Sequence, residues 1–263
     1  MTYLQAVVLG VVQGLTEFLP VSSSGHLVLV PHVAGWPDQG LAFDAALHLG
    51  TLAALLACFR HELGALARGA LPRRLLALLV AASVPAGLAG LLVGGAVERA
   101  LRAPWPVAAA TAFWGVVMGL ADRRARGAPA RAPGDPLACV RPGQALVIGA
   151  AQALALMPGT SRSGITITAG LLLGLDRATA ARFAFLLGIP VTAAAGLLKT
   201  AELVARGVGT AELGPLAAAL VAAFASGWLA AWFLVTYLKR RSLLPFVLYR
   251  LALAGAIVLA FPP

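Results

Sequence analysis

Two short polar stretches interrupt apolar sequence and carry most of the side chains that could do chemistry. The first tip, residues 13–26, reads QGLTEFLPVSSSGH, and the second tip, residues 152–164, reads QALALMPGTSRSG. Each tip has a proline that ends one helix and serines that suit the start of the next. The sequence therefore predicts two half-helix N-termini, whose unpaired N–H groups favour an anion.

The side chains of the two tips match the needs of phosphate chemistry. The guanidinium of Arg162 suits phosphate oxygens. Hydroxyls or the imidazole of His26 can act as a nucleophile, and the carboxylate of Glu17 can take a proton or hold a divalent metal. A site that only binds phosphate needs no base, so this combination favours hydrolysis over simple binding.

Structural roles explain some of the same residues. The serines and glycines can serve close helix packing, with hydroxyls bonded back to the backbone. Glu17 and Arg162 can form a purely structural ion pair, although ionisable groups at membrane depth are costly and usually functional. His26 can be an interior histidine whose hydrogen bonds are satisfied locally.

Three further candidate site residues lie outside the tips. Asp44 and His48 are four residues apart, so they share one helix face and either line the same cavity or bond internally. Arg250, within an apolar run, reaches a second phosphate, extends to the membrane interface or pairs with another group.

The elements that must position these residues are helices in a membrane. The chain has 263 residues, of which 60% are hydrophobic and 11% charged, and a mean hydropathy of +0.89, which is typical of polytopic membrane proteins. We predict an all-α fold with two re-entrant helical hairpins, about 3–35 and 143–175, which contain the tips. Six stretches are long enough to span a bilayer: 41–59, 75–97, 103–121, 183–198, 213–238 and 243–261.

The two halves of the chain repeat each other. Gln13 aligns with Gln152 and Ser22 with Ser161 at a constant offset of 139 residues. We therefore predict a single integral membrane domain, 1–263, built from repeat 1 (1–125) and repeat 2 (140–263). Each repeat has one hairpin and three spans, so the second repeat is inverted relative to the first.

Charge supports this topology. The formal net charge is +10, but the charges fall between apolar spans, which indicates membrane orientation and excludes nucleic acid as a partner. Under the hairpin topology, one face receives loops 60–74, 122–142, 176–182 and 239–242 with 14 Lys or Arg, and the other face receives 4. The face with 14 is predicted to be cytoplasmic.

At its two tips the chain resembles the bacterial undecaprenyl-diphosphate phosphatases, the bacitracin-resistance proteins of the BacA type. The resemblance extends to FDAALHLGT, to LLPFVLYR and to overall length, so it covers essentially the whole chain. It implies hydrolysis of undecaprenyl diphosphate to undecaprenyl phosphate, which recycles the carrier lipid for peptidoglycan synthesis. It also implies the bacterial cytoplasmic membrane, a site facing the periplasm and a homodimer among membrane lipids.

The resemblance further implies roles for particular residues. Glu17, His26, Ser23 and Arg162 become catalytic candidates. The remaining candidates surround the diphosphate: Gln13, Ser22, Ser24, Gly25, Ser161, Ser163, Gly164 and Thr166. The implied cofactor is a divalent metal, Mg²⁺ or Ca²⁺.

The sequence departs from some relatives at the metal site. Some relatives have Glu where this chain has Gln13, so Glu17 must hold the metal alone or with Asp44. The nucleophile stays open among Ser23, His26 and a metal-activated water. A different class of function, the transport of a polyprenyl phosphate through the same midplane site, is compatible with an inverted repeat.

Overall fold

The computed structural model describes residues 1–37, 39, 41–125, 136–205 and 210–262, and no strand occurs in those ranges. The all-α expectation is therefore confirmed for the described residues. They form the following α-helices: α1 (Tyr3–Phe18), α2 (Ser23–Val33), α3 (Leu41–Cys58), α4 (Arg60–Ala67), α5 (Arg73–Leu101), α6 (Pro104–Ala125), α7 (Pro142–Gln152), α8 (Arg162–Leu172), α9 (Arg177–Ala205), α10 (Thr210–Tyr237) and α11 (Leu244–Ala260).

Four helices are long and apolar enough to cross a membrane, and a fifth span is possible. The four are Arg73–Val97, Pro104–Ala125, Arg177–Leu198 and Glu212–Tyr237. The fifth is the pair Ala46–Cys58 and Arg60–Ala67, which bends by 69° at Phe59. The predicted stretch 243–261 forms the shorter apolar helix α11, of 17 residues.

Helix α9 begins earlier than the sequence prediction of residue 183. The carboxylate of Asp176 accepts hydrogen bonds from the backbone N–H of Thr179 at 3.0 Å and from its hydroxyl at 2.5 Å. This side chain satisfies a backbone donor that would otherwise be unpaired at the helix start. The polar residues before the apolar run therefore join the helix.

Both polar tips interrupt their helices beside a proline. Helix α1 ends at Phe18, and Leu19 is extended, with ψ 136°, before Pro20. Helix α7 ends at Gln152, a single 3₁₀ turn follows, and Met157 is extended, with ψ 116°, before Pro158. In both places the proline ring disfavours helical backbone at the residue before it. The helices of 11 to 16 residues that flank the breaks are shorter than the roughly 20 residues that span a bilayer.

Small residues let the broken helices pack closely on long ones. Helix α1 packs along α10 and α7 along α5, while α3 contacts both α9 and α10, and α6 contacts α11. Gly10 of α1 lies against the backbone of Ala219, and Gly149 of α7 lies against the backbone of Ala82. These two glycines occupy matching positions of the proposed repeats, and a side chain at either one would collide with the facing helix.

Parts of the predicted domain 1–263 lie outside the described residues. They are 126–135 in the basic loop 122–142, which include most of the junction between the two repeats, 206–209 between α9 and α10, and residues 38, 40 and 263.

The close approach of α1 to α10 predicts the effect of a single methyl group. An added Cβ at Gly10 would overlap the carbonyl oxygen of Ala219 and lie 3.0 Å from its Cα, so the facing backbone would have to shift. We expect Gly10→Ala to destabilise the fold by about 1–3 kcal/mol, measured as a lower melting temperature in detergent. The control is Gly255→Ala in α11, where no atom lies within 4 Å of the added Cβ. Because alanine has a greater helix propensity than glycine, this variant should be as stable as the wild type or more stable. Equal melting temperatures for the two variants would contradict the close packing of α1 on α10.

Candidate active site

The carboxylate of Glu17 is the centre of the site, and it is buried at 6% exposure near the end of α1. Its Oε1 accepts hydrogen bonds from Arg162 of the second tip, from Nε at 3.3 Å and from Nη2 at 3.0 Å. Its Oε2 accepts from the Ser23 hydroxyl at 3.0 Å and from the Gln13 amide at 3.2 Å. The Nε2 of His48 lies 3.6 Å from the same oxygen. Both tips thus converge on one carboxylate.

Packing and the chain break fix where this carboxylate lies. Phe18, the next residue, is fully buried, and its ring meets Phe185 of α9 edge to face, with centroids 5.5 Å apart. Since α1 ends at Phe18, the chain turns away there and brings Ser23 back to Glu17. Gly188 of α9 leaves room for Arg162, because an added Cβ would overlap the guanidinium.

The same unusual turn starts both downstream helices. Ser22 and Ser161 have positive φ, 75° and 68°, and no other non-glycine residue in the described chain does. Each caps its helix: Ser22 Oγ accepts from Gly25 N at 3.4 Å, and Ser161 Oγ accepts from Gly164 N at 3.2 Å. A serine in this region costs energy, and such strain clusters at functional sites.

Side chains and backbone join the two tips directly. The N–H of Gly159 donates to the Ser24 hydroxyl at 2.9 Å, and the Ser163 hydroxyl donates to the carbonyl of Leu19 at 3.4 Å. Within each tip the serine hydroxyls are paired in the same way, Ser22 with Ser24 and Ser161 with Ser163, both at 3.3 Å. The two tips therefore meet in the structure.

The side chain of Arg250 in α11 is hydrogen-bonded to both tips. Its side chain has no exposed surface, and it donates to the carbonyls of Gly159 at 2.9 Å and Thr160 at 3.1 Å in the second tip. It also donates to Pro20 of the first tip at 3.5 Å and to Thr111 of α6 at 3.0 Å. Of the roles left open for Arg250, the structure shows pairing with buried backbone carbonyls.

His26 is buried, but it does not bond to Glu17. Its Nδ1 lies 2.7 Å from the carbonyl of Ser22, which can only accept, so Nδ1 carries the proton. Its Nε2 lies 2.7 Å from the hydroxyl of Tyr249, whose ring stacks on the imidazole with centroids 5.5 Å apart. The sequence analysis missed Tyr249, because only the packing of α11 against α2 brings it to His26.

The side chains of Asp44 and His48 contact different residues. The Asp44 carboxylate binds Nη2 of Arg102 at 3.1 Å, while its backbone carbonyl accepts from Nδ1 of His48 at 3.1 Å. His48, rather than Asp44, therefore extends to Glu17. Thr166 is buried, and its hydroxyl donates to the carbonyl of Arg162 at 2.7 Å, one helical turn earlier.

Several potential metal-ligand atoms lie around Oε2 of Glu17. Within the described residues no group of three or more His, Cys, Asp or Glu side chains could hold a metal. One carboxylate does meet a neutral amide, a hydroxyl and an imidazole here. The amide nitrogen of Gln13 donates to Glu17, and its amide oxygen Oε1 is buried without a hydrogen-bond partner, so this oxygen is unused by the described protein groups. Oxygen and nitrogen donors of this kind fit a divalent metal.

Comparisons with known proteins agree over nearly the whole chain. The family model described as bacitracin resistance protein BacA matches residues 6–256. Undecaprenyl-diphosphatase 2 of Stutzerimonas stutzeri is 45% identical over 99% of this chain and 99% of its own length. The undecaprenyl-diphosphatase of Moorella thermoacetica is 46% identical over 99% and 98%, and that of Pelobacter propionicus is 44% identical over 98% and 97%.

The buried contacts of Arg250 predict a large stability loss on substitution. Arg250→Met keeps much of the side-chain volume but removes the donor to the carbonyl of Pro20 in one tip and of Thr160 in the other, while Gly159 keeps the Thr111 hydroxyl. Each unsatisfied buried acceptor costs about 1–3 kcal/mol. We expect a markedly lower melting temperature in detergent. The control is the exposed Arg240→Met, which should change stability by no more than about 0.5 kcal/mol. Similar melting temperatures for both variants would show that the tips do not depend on Arg250.

Proposed function

The chain belongs to the bacitracin resistance protein BacA family, and we propose that it hydrolyses undecaprenyl diphosphate to undecaprenyl phosphate and inorganic phosphate. Relatives named undecaprenyl-diphosphatase match it at 42–46% identity over nearly full length. Such a hydrolase returns the carrier lipid to cell-wall synthesis. The transport alternative is not favoured, because the relatives' names describe a hydrolase.

One observation carries the catalytic part of the proposal. The Ser23 hydroxyl donates to Oε2 of the buried Glu17 while Arg162 binds Oε1 from the opposite tip. A hydroxyl that donates to a carboxylate is arranged as a nucleophile beside its general base. Of the nucleophiles left open by the sequence, this geometry supports Ser23 best.

In the proposed reaction, Oγ of Ser23 attacks the terminal phosphorus and Glu17 takes the hydroxyl proton. The bond from that phosphorus to the bridging oxygen breaks, Glu17 passes its proton to that oxygen, and undecaprenyl phosphate leaves. Water then attacks the phosphoserine and gives a proton to the carboxylate of Glu17, the bond from phosphorus to Oγ breaks, and Glu17 returns this proton to Oγ as phosphate departs. The same carboxylate serves both steps.

Charge on the phosphoryl oxygens needs donors that are already in place. Arg162 supplies a guanidinium, and the starts of α2 and α8 direct backbone N–H groups toward the tips. We propose that Ser22, Ser24, Gly25, Ser161, Ser163 and Gly164 form this anion site, with Gln13 beside Glu17 and Thr166 supporting the helix start. His26 has its proton on Nδ1, bound by Ser22, and its Nε2 beside the Tyr249 hydroxyl, so we propose that it acts at the edge of this site as a proton acceptor.

The proposed cofactor is a divalent metal held by Glu17, for which Mg²⁺ and Ca²⁺ were the ions predicted. When bound, it would neutralise charge on the phosphate oxygens. Asp44 as a second ligand stays a prediction, and its carboxylate binds Arg102 in this structure. The homodimer, implied by the resemblance alone, also stays a prediction.

We propose that the broken helix pairs α1–α2 and α7–α8 are re-entrant hairpins within an inverted repeat of six spans, with 1–125 and 140–263 as its halves. Matching serine caps, matching glycine contacts and the short lengths of these helices support this topology. The proposal places the protein in the cytoplasmic membrane with the site open to the periplasm.

Replacing the base without changing its size tests the chemistry. Glu17→Gln removes the proton acceptor for Ser23, and we expect phosphate release from undecaprenyl diphosphate, with divalent metal present, to fall about 10²-fold or more. The control is Glu62→Gln on α4, whose carboxylate pairs with Arg182 away from the tips and should leave turnover unchanged. Full activity of Glu17→Gln would remove Glu17 from the mechanism.

The topology is testable with a cysteine that the chain already has. Cys139 is exposed in the basic segment before α7, and replacing Cys58 with alanine leaves it as the only cysteine, since the chain has 2. We expect a membrane-impermeant maleimide to label Cys139 in inside-out vesicles and not in intact spheroplasts. Labelling of spheroplasts would contradict the proposed orientation.

A further inference from the structure

We propose that His48 is a ligand of the divalent metal, so that the ion binds between its Nε2 and Oε2 of Glu17. This inference deepens the proposed function and rests on it. It makes the site one of mixed nitrogen and oxygen ligands, suited to a first-row transition ion such as Mn²⁺ rather than to Ca²⁺ alone.

The hydrogen bond on the far side of the ring orients His48 for this role. Its Nδ1 lies 3.1 Å from the backbone carbonyl of Asp44, which only accepts, so Nδ1 carries the proton. In the neutral imidazole the lone pair is then on Nε2. Metal-binding histidines commonly donate the other ring N–H to a backbone carbonyl, which fixes their orientation.

In this neutral form, Nε2 of His48 and Oε2 of Glu17 are both acceptors. Oε2 of Glu17 lies 3.6 Å away, too far for a hydrogen bond. Two ligand atoms at this separation can share one metal ion bound at about 2.1 Å from each. A cation between them would replace a repulsive contact with two attractive ones.

The surroundings supply what a metal still needs. Arg162 binds Oε1 of the carboxylate, whereas His48 lies beside Oε2, so Oε2 is on the metal side. Oε1 of Gln13 is buried without a hydrogen-bond partner, and Gln13 lies one turn before Glu17 on the same helix face. The His48 side chain is 31% exposed, against 5% for Glu17, so the ion can reach the site from the His48 side and keep water ligands.

The nature of the ligands sets the metal preference. Calcium takes oxygen ligands almost exclusively, whereas imidazole nitrogen suits transition ions. The neutral Gln13 contributes no second negative charge. The imidazole therefore raises affinity for Mn²⁺ relative to Ca²⁺, and its removal should lower that ratio.

Pulsed EPR of Mn²⁺ bound to the purified full-length protein in detergent tests the ligand directly. Imidazole nitrogen bonded to Mn²⁺ produces ¹⁴N modulation, which we expect in the wild type and not in His48→Gln. Binding of Mn²⁺ to His48→Gln should weaken about tenfold or more, with the Mn²⁺ to Ca²⁺ affinity ratio lowered. The matched control is His26→Gln, which should retain the ¹⁴N modulation, because both ring nitrogens of His26 are bonded elsewhere.

Several results would overturn the inference. They are absence of ¹⁴N modulation in the wild type, its persistence in His48→Gln, and its loss in His26→Gln alone. His48→Asn is the second variant should His48→Gln fail to fold, and it should also lack the modulation. Wild-type protein that releases phosphate without the modulation would leave the proposed function standing and remove His48 as a ligand. If the modulation is present but no metal supports phosphate release, His48 remains a ligand and the proposed function is wrong.

Discussion

The whole site depends on one constraint: backbone carbonyls exposed by a helix break inside a membrane must find donors within the protein. Arg250 meets that need with no surface exposed, donating to Pro20 in one tip and to Gly159 and Thr160 in the other. Ser24 completes the junction by accepting from the N–H of Gly159. The two breaks are thereby held together as a single unit, which keeps Arg162 of the second tip beside Glu17 of the first.

Within that unit, a single buried carboxylate organises the chemistry. Glu17 is stabilised by Arg162 on one oxygen and by Ser23 on the other, so the ion pair that a structural reading predicts is indeed present. A buried ion pair contributes little net stability by itself, because desolvation offsets its attraction. Its cost is better explained by what it positions: a base against a hydroxyl, and a guanidinium at the meeting point of two helix starts.

The two tips share a backbone but not a set of reactive groups. Ser22 and Ser161 adopt the same strained cap, and each hydroxyl pairs with the serine two residues later. The offset of 139 residues nevertheless changes the reactive positions, as follows: Glu17 corresponds to Leu156, His26 to Ile165, and Ser23 to Arg162. The second tip therefore completes the first by contributing a cation, and the two tips share a backbone turn without sharing the side chains at these three positions.

The helical class, the positions of both breaks and the candidate residues of the two tips could be predicted from the sequence, because these follow from apolar length, proline and the cost of charge in a membrane. Long-range packing decided the rest. It assigned Arg250 to backbone carbonyls, placed Tyr249 on His26 and brought His48 to Glu17. These contacts join helices far apart in the chain, and no local pattern records which side chains will face each other across them.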